Sequence, residues 1–199
     1  MNWNKIKSDG YKDVGGKKYD VSHLRDAKLR FVVEASGRYP EITFSLLVQY
    51  SSHCVTRGPR HGRQIDFAAH GEDRRVIDDK GVHRRFCETR YQWSLNLPSV
   101  FETLVERDCF FTGRNNWLTI KILSSDGKRL DYEVFFSLTK QSNRMLRIYV
   151  ESAYVRDLNN PSNKPAHTKR RDKMRARVLL AKKLRGEPTR RPNNRKGRA

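Results

Sequence analysis

At 199 residues, with 36% apolar side chains including nine Phe, eight Tyr and three Trp, the chain can fill one ordinary core and leave an appendage. Its formal charge of +20 far exceeds the magnitude of about 2–8 that keeps a small domain soluble, and self-repulsion on that scale calls for a polyanionic partner. No run approaches the ~20 apolar residues of a membrane span, MNWNKIKSDGYK lacks the apolar core of a secretory signal, and Cys54, Cys87 and Cys109 form no CxxC pair; a cytoplasmic protein with reduced thiols and no membrane partner is expected.

Taken in chain order, the first strand signal places Leu29, Phe31 and Val33 on one face. A longer one aligns Ile42, Phe44, Leu46, Val48 and Tyr50. Residues 56–87 are rich in Gly, Arg, Asp and His and read as exposed loops around a short strand at 63–69. Over 88–107, Trp93, Leu97, Val100, Phe101, Leu104 and Val105 recur at helical spacing, and Pro98 kinks that helix or starts a second one. A short strand at 110–112 precedes runs at 117–123, 130–139 and 145–155, with Asp126-Gly127 as a hairpin turn. In the last run Leu146, Ile148 and Val150 share parity with Ser152 and Tyr154, so an apolar face turns polar near its end. The order predicts an α+β fold: antiparallel sheet with one main helical element, the N-terminal strands extending the sheet or forming a second layer.

The loop-forming cluster after Asn159 divides a body, 1–158, from a tail, 159–199. The tail carries 15 Lys and Arg against Asp172 and Glu187, or +13, leaving +7 on the body. A helix is expected from the N-cap Thr168 to Arg185, with Met174, Val178, Ala181 and Leu184 in one stripe, widened by Leu180, and Gly186 and Pro188 as the stop. Such a helix is poorly ordered alone and orders on phosphates. Lys169, Arg170, Arg171, Lys173, Arg175, Arg177, Lys182, Lys183 and Arg185 are its candidate RNA contacts, and 186–199 reads as a basic disordered extension. The plainer alternative is a solubilising tail or localisation signal.

The densest polar constellation lies at 51–91. His53, Cys54, His61, His83 and Cys87 have zinc-ligand chemistry, but His53 and Cys54 are adjacent, and on a strand their side chains leave opposite faces. Small buried thiols and solvent-facing histidines are the alternative. Walker, Rossmann, HExxH and GxSxG patterns are absent, and Gly15-Gly16 is too short for a phosphate loop, so neither a cofactor nor a metal is expected. The same constellation can supply RNA cleavage without a metal. That reaction needs a base for the ribose 2′-proton, an acid for the leaving oxygen, and cations for the phosphorane.

Residues RRFCETRYQWSLNLPSVFETL, FFTGRNNWLTI, YEVFFSL and RIYVESAY form a helix followed by a meander that ends in Ser-Ala-Tyr. Over about 83–155 this resembles the barnase–EndoU–colicin–RelE superfamily of small ribonucleases, many of them toxins. The resemblance implies metal-independent cleavage on a concave sheet face and points to His83, Arg90, Arg114 and Tyr154 as catalytic. The expected function is an RNA-binding protein with toxin-like endoribonuclease activity. The alternatives are a non-catalytic partner of RNA, tRNA or the ribosome, and a DNA-binding accessory factor, although no base-reading helix is evident.

Overall fold

The computed structural model describes residues 1–35, 37, 40–59, 63–112, 116–125, 128–155 and 172–189. Helix α1 (Trp3–Asp9) leads into the hairpin β1 (Tyr11–Val14) and β2 (Lys17–Asp20), followed by β3 (Ala27–Val33) and β4 (Ile42–Tyr50). Gly15 and Gly16, both at positive φ, are the two-residue turn of that hairpin, which answers what this pair does. Next come β5 (Thr56–Arg57), α2 (Phe67–His70), β6 (Arg75–Ile77), β7 (His83–Phe86), α3 (Glu88–Ser94) and α4 (Leu97–Glu102). The chain continues with β8 (Asp108–Phe111), β9 (Trp117–Ser125), β10 (Lys128–Ser142), β11 (Met145–Val155), β12 (Lys173–Arg175) and α5 (Ala176–Arg185).

The fold is α+β. Its main sheet has seven strands in the order β12-β8-β9-β10-β11-β4-β3. The meander β8 to β11 is antiparallel, as its alternation predicts, and β4 joins it parallel to β11. The strands β3 and β4 therefore extend the sheet, while β1 and β2 form a separate two-stranded hairpin. Pro98 begins α4 in its first turn, so the helical stripe splits into α3 and α4. Leu97, Val100, Phe101 and Leu104 are fully buried, and the Phe101 ring sits 6.0 Å from Tyr50 and 6.1 Å from Phe136. Burying a side chain of that size contributes about 1.5–3 kcal/mol.

Three expectations need correction. The first concerns the tail. Residues 172–185 are built into the body: β12 pairs with β8, and the Ala176 amide donates to the Arg107 carbonyl at 2.9 Å. On α5, Ala176, Leu179, Leu180, Ala181 and Leu184 are buried against the body, while Val178 is exposed. The expected N-cap Thr168 lies outside the described residues; 173–175 are spent on edge pairing, α5 begins at Ala176, and its buried stripe runs through Leu179 in place of Val178. Gly186, at φ 75°, ends it as expected.

The second concerns 63–69, which is no strand. Asp66 accepts from the Ala69 amide at 3.1 Å and caps the single-turn helix α2. The strands of this region form a small sheet, β5-β7-β6.

The third concerns the parity of β11. A register shift sets Phe136 opposite Val150 but Phe135 opposite Ser152, leaving Glu151 as an extra residue. This bulge reverses the alternation, so Ala153 takes the buried face and Ser152 and Tyr154 leave it.

Candidate nucleic-acid interface and histidine cavity

The small sheet has two unlike faces. Its register sets Arg57 opposite Arg85, Arg85 opposite Arg75, and Ile77 opposite His83, so one face carries a row of cations. The other holds Thr56 and Phe86, together with Val76 and Arg84, and faces the interior. Gly58 permits this packing, because a Cβ there lies 2.6 Å from Arg84 Nη1. Beyond the basic face a cleft of about 690 Å³ is lined by Arg57, Arg63 and Arg85, with Gln64, Asp66 and His70. A second hollow of about 450 Å³ shares Arg57, His70 and Arg85 with it.

The bulge on β11 builds a separate cavity of about 480 Å³. Tyr149, Glu151, Ser152 and Tyr154 form its sheet wall, His53 comes from the turn after β4, and Asp78, Asp79 and Lys80 come from the loop after β6. His53 Nε2 faces Asp78 Oδ2 at 3.4 Å. The other Asp78 oxygen accepts the Lys80 and Val82 amides, both at 2.9 Å. Burial alone pushes the Asp78 carboxyl up. The two amides, His53 and the Arg84 guanidinium more than offset it, and the pKa falls below the usual carboxylate value. His53 moves down, first through burial and then through Arg84 and Arg90, against the pull of Asp78. An imidazole held neutral beside an ionised carboxylate has its tautomer set, and its second nitrogen is a proton acceptor.

The Tyr149 hydroxyl donates to Asp79 at 3.0 Å, and Asn116 donates to Glu151 at 2.7 Å. Tyr154 stacks on Phe135 with ring centroids 5.7 Å apart. Arg90 lies over the Tyr154 ring at 5.2 Å and donates to the His53 and Thr56 carbonyls at 2.7 and 2.9 Å. Its hydrogen bonds hold the turn that carries His53, which makes it a positioning residue for this cavity.

Of the four residues predicted to be catalytic, the structure brings Arg90 and Tyr154 together. His83 lies apart on the basic face, its Nδ1 3.1 Å from an Arg75 nitrogen, and Arg114 lies outside the described residues. Sequence reasoning counted His53 among several histidines able to ligate zinc or move a proton and read Asp78 as a turn residue, and it had no signal that would pair the two. The zinc alternative gains no support. Cys54 is fully buried with its thiol pushed up to about 12 by desolvation, His61 lies outside the described residues, and among the described residues no group of three His, Cys, Asp or Glu is placed to hold a metal ion.

The tail residues divide in the same way. Lys173 and Arg175 pair with Asp108 at 2.8 and 3.3 Å, and Arg185 with Glu187 at 2.5 Å. Arg177 is exposed, Lys182 and Lys183 are half-buried, and Lys169, Arg170 and Arg171 lie outside the described residues.

Fold and site together define a basic α+β protein with an arginine-lined cleft on a small sheet and a His–Asp cavity at a strand bulge. Among the described residues no helix is long and apolar enough to cross a membrane. The chain belongs to the YjaZ family, whose model matches residues 11–184. That match runs through the 158/159 boundary and most of α5. No curated protein and no solved structure matches the chain.

Proposed function

We propose that this protein binds RNA and cleaves it without a metal, using His53 as the proton acceptor. The observation that carries the reading is the His53–Asp78 pair, with Nε2 3.4 Å from the carboxylate at the wall of an open cavity. The net charge of +20 favours a polyanionic substrate, and the resemblance of about 83–155 to the barnase–EndoU–colicin–RelE superfamily supports this reaction class. In the reaction the ribose 2′-oxygen bonds to phosphorus as its proton passes to His53. The P–O5′ bond breaks, and the departing oxygen takes a proton from the Tyr154 hydroxyl. Lys80, at the cavity rim, supplies positive charge. Three free cysteines fit a reducing, cytoplasmic setting.

The test is incubation of the purified protein with RNA in EDTA. Cleavage that leaves 2′,3′-cyclic phosphate ends is expected, and His53→Ala and Tyr154→Phe should each slow it by about 10²-fold or more. Cleavage abolished by chelator removes the metal-independent mechanism. RNA binding with no cleavage leaves the non-catalytic, ribosome- or tRNA-associated reading.

A further inference from the structure

We propose that the cleft formed by Arg57, Arg63 and Arg85 is a phosphate-binding subsite that grips the RNA backbone apart from the His53 cavity. The proposal rests on RNA being the partner, but not on its cleavage. Like charges set directly across an antiparallel pair repel and destabilise it. Arg57 and Arg85 are such a pair, and Arg85 is also opposite Arg75.

The neighbouring arginines are neutralised. Arg74 pairs with Glu88 at 2.8 Å, Arg75 with Glu72, and Arg84 with Asp78 at 3.9 Å and the Thr56 hydroxyl at 2.7 Å. Among the described residues no carboxylate pairs with Arg57, Arg63 or Arg85. The one acid lining their cleft, Asp66, is engaged in capping α2. An unbalanced cross-strand cation pair is what a bound anion relieves. A backbone phosphate suits it in charge and geometry, because guanidinium forks match phosphate oxygens. The cleft of about 690 Å³ and the hollow that continues it give room for more than one phosphate.

The experiment uses a 2′-O-methyl oligoribonucleotide, which has the same backbone but lacks the attacking hydroxyl, so binding is read whether or not the protein cleaves. The full-length Arg57→Gln/Arg85→Gln variant is compared with Lys5→Gln/Lys28→Gln, which removes equal charge elsewhere. Each lost contact should weaken binding about tenfold and make the slope of log K against log salt shallower by about 0.7. The unliganded arginine variant should also melt at a higher temperature than wild type, because a repulsion has been removed. A loss no larger than that of the control, or a lower melting temperature with unchanged affinity, overturns the proposal. If wild type ignores the oligomer yet inorganic phosphate raises its melting temperature through Arg57 and Arg85, the phosphate site stands and RNA is the wrong partner. If the oligomer binds through these residues and natural RNA is never cut, the proposed reaction fails and the subsite stands.

Discussion

The segments 172–187 and 56–87 are both dense in arginine or lysine, and in sequence they invite the same reading. The structure treats them differently. In the first, Lys173, Arg175 and Arg185 find carboxylates, while the interleaved apolar residues fill the core. In the second, Arg57 and Arg85 are set against one another across a sheet. The comparison teaches that cation density identifies a basic protein, whereas register decides where a given cation sits: beside a carboxylate, as Lys173 and Arg175 beside Asp108, or opposite another cation, as Arg57 opposite Arg85.

The sharpest way to break this contrast is to treat 172–185 as the dispensable tail its composition indicates. Leu180 is fully buried, so Leu180→Ala should cost about 2–5 kcal/mol in urea unfolding. Truncation before β12 should abolish a cooperative transition altogether. A truncated protein that unfolds cooperatively at wild-type stability restores the separate tail. Truncation is for the same reason no clean assay of RNA binding.

A smaller effect is expected from acid, and it belongs to the region around the small sheet. His53 and His23 both have lowered pKa values in the fold, in each case chiefly through burial; His23 lies 2.8 Å from the Ser94 hydroxyl. The unfolded chain therefore binds more protons just below the ordinary histidine value of 6.5, and stability rises with pH there. The full contribution is present above 6.5 and is lost as pH falls towards the lowered folded values. A second loss, through Asp20, Asp78 and Glu88, follows below their ordinary carboxylate values, because their folded pKa values are depressed. Unfolding free energies at pH 7.5 and 5.5 should show the first descent, and His23→Gln should reduce it. An equal descent in that variant removes His23 from the account.

The smallest effect is expected from the exposed ion pairs of the tail segment. Lys173→Gln, which breaks the contact with Asp108, should change stability by about 0–1 kcal/mol. A loss above 2 kcal/mol would mean that these pairs, and not the buried face of α5, hold the segment in place.

Much of the main sheet was legible because its strands are long. Strands as long as β4, with nine residues, or β11, which alternates from Met145 to Val150 ahead of its bulge, state a period without help from other elements. The small sheet was not legible. Strands of two to four residues, such as β5 and β7, contain too few positions to define a period, and their arginines read as loop. The sequence likewise hid the contact between His53 and Asp78, because Asp78 lies 25 residues away and meets it only when the loop after β6 folds over the sheet. Tyr154 was placed near a polar strand end by a parity argument that the bulge at Glu151 reverses.

The sequence by itself determined the α+β class, the meander, the split of the helical stripe at Pro98 and the end of the last helix at Gly186. Each depends on local period or on backbone chemistry carried within a few residues. Tertiary structure alone decided that 172–185 belongs to the core, that Arg57 faces Arg85, and that His53 meets Asp78. Those facts are set by strand register and by contacts between segments distant in the chain, which no local pattern of charge or hydrophobicity encodes.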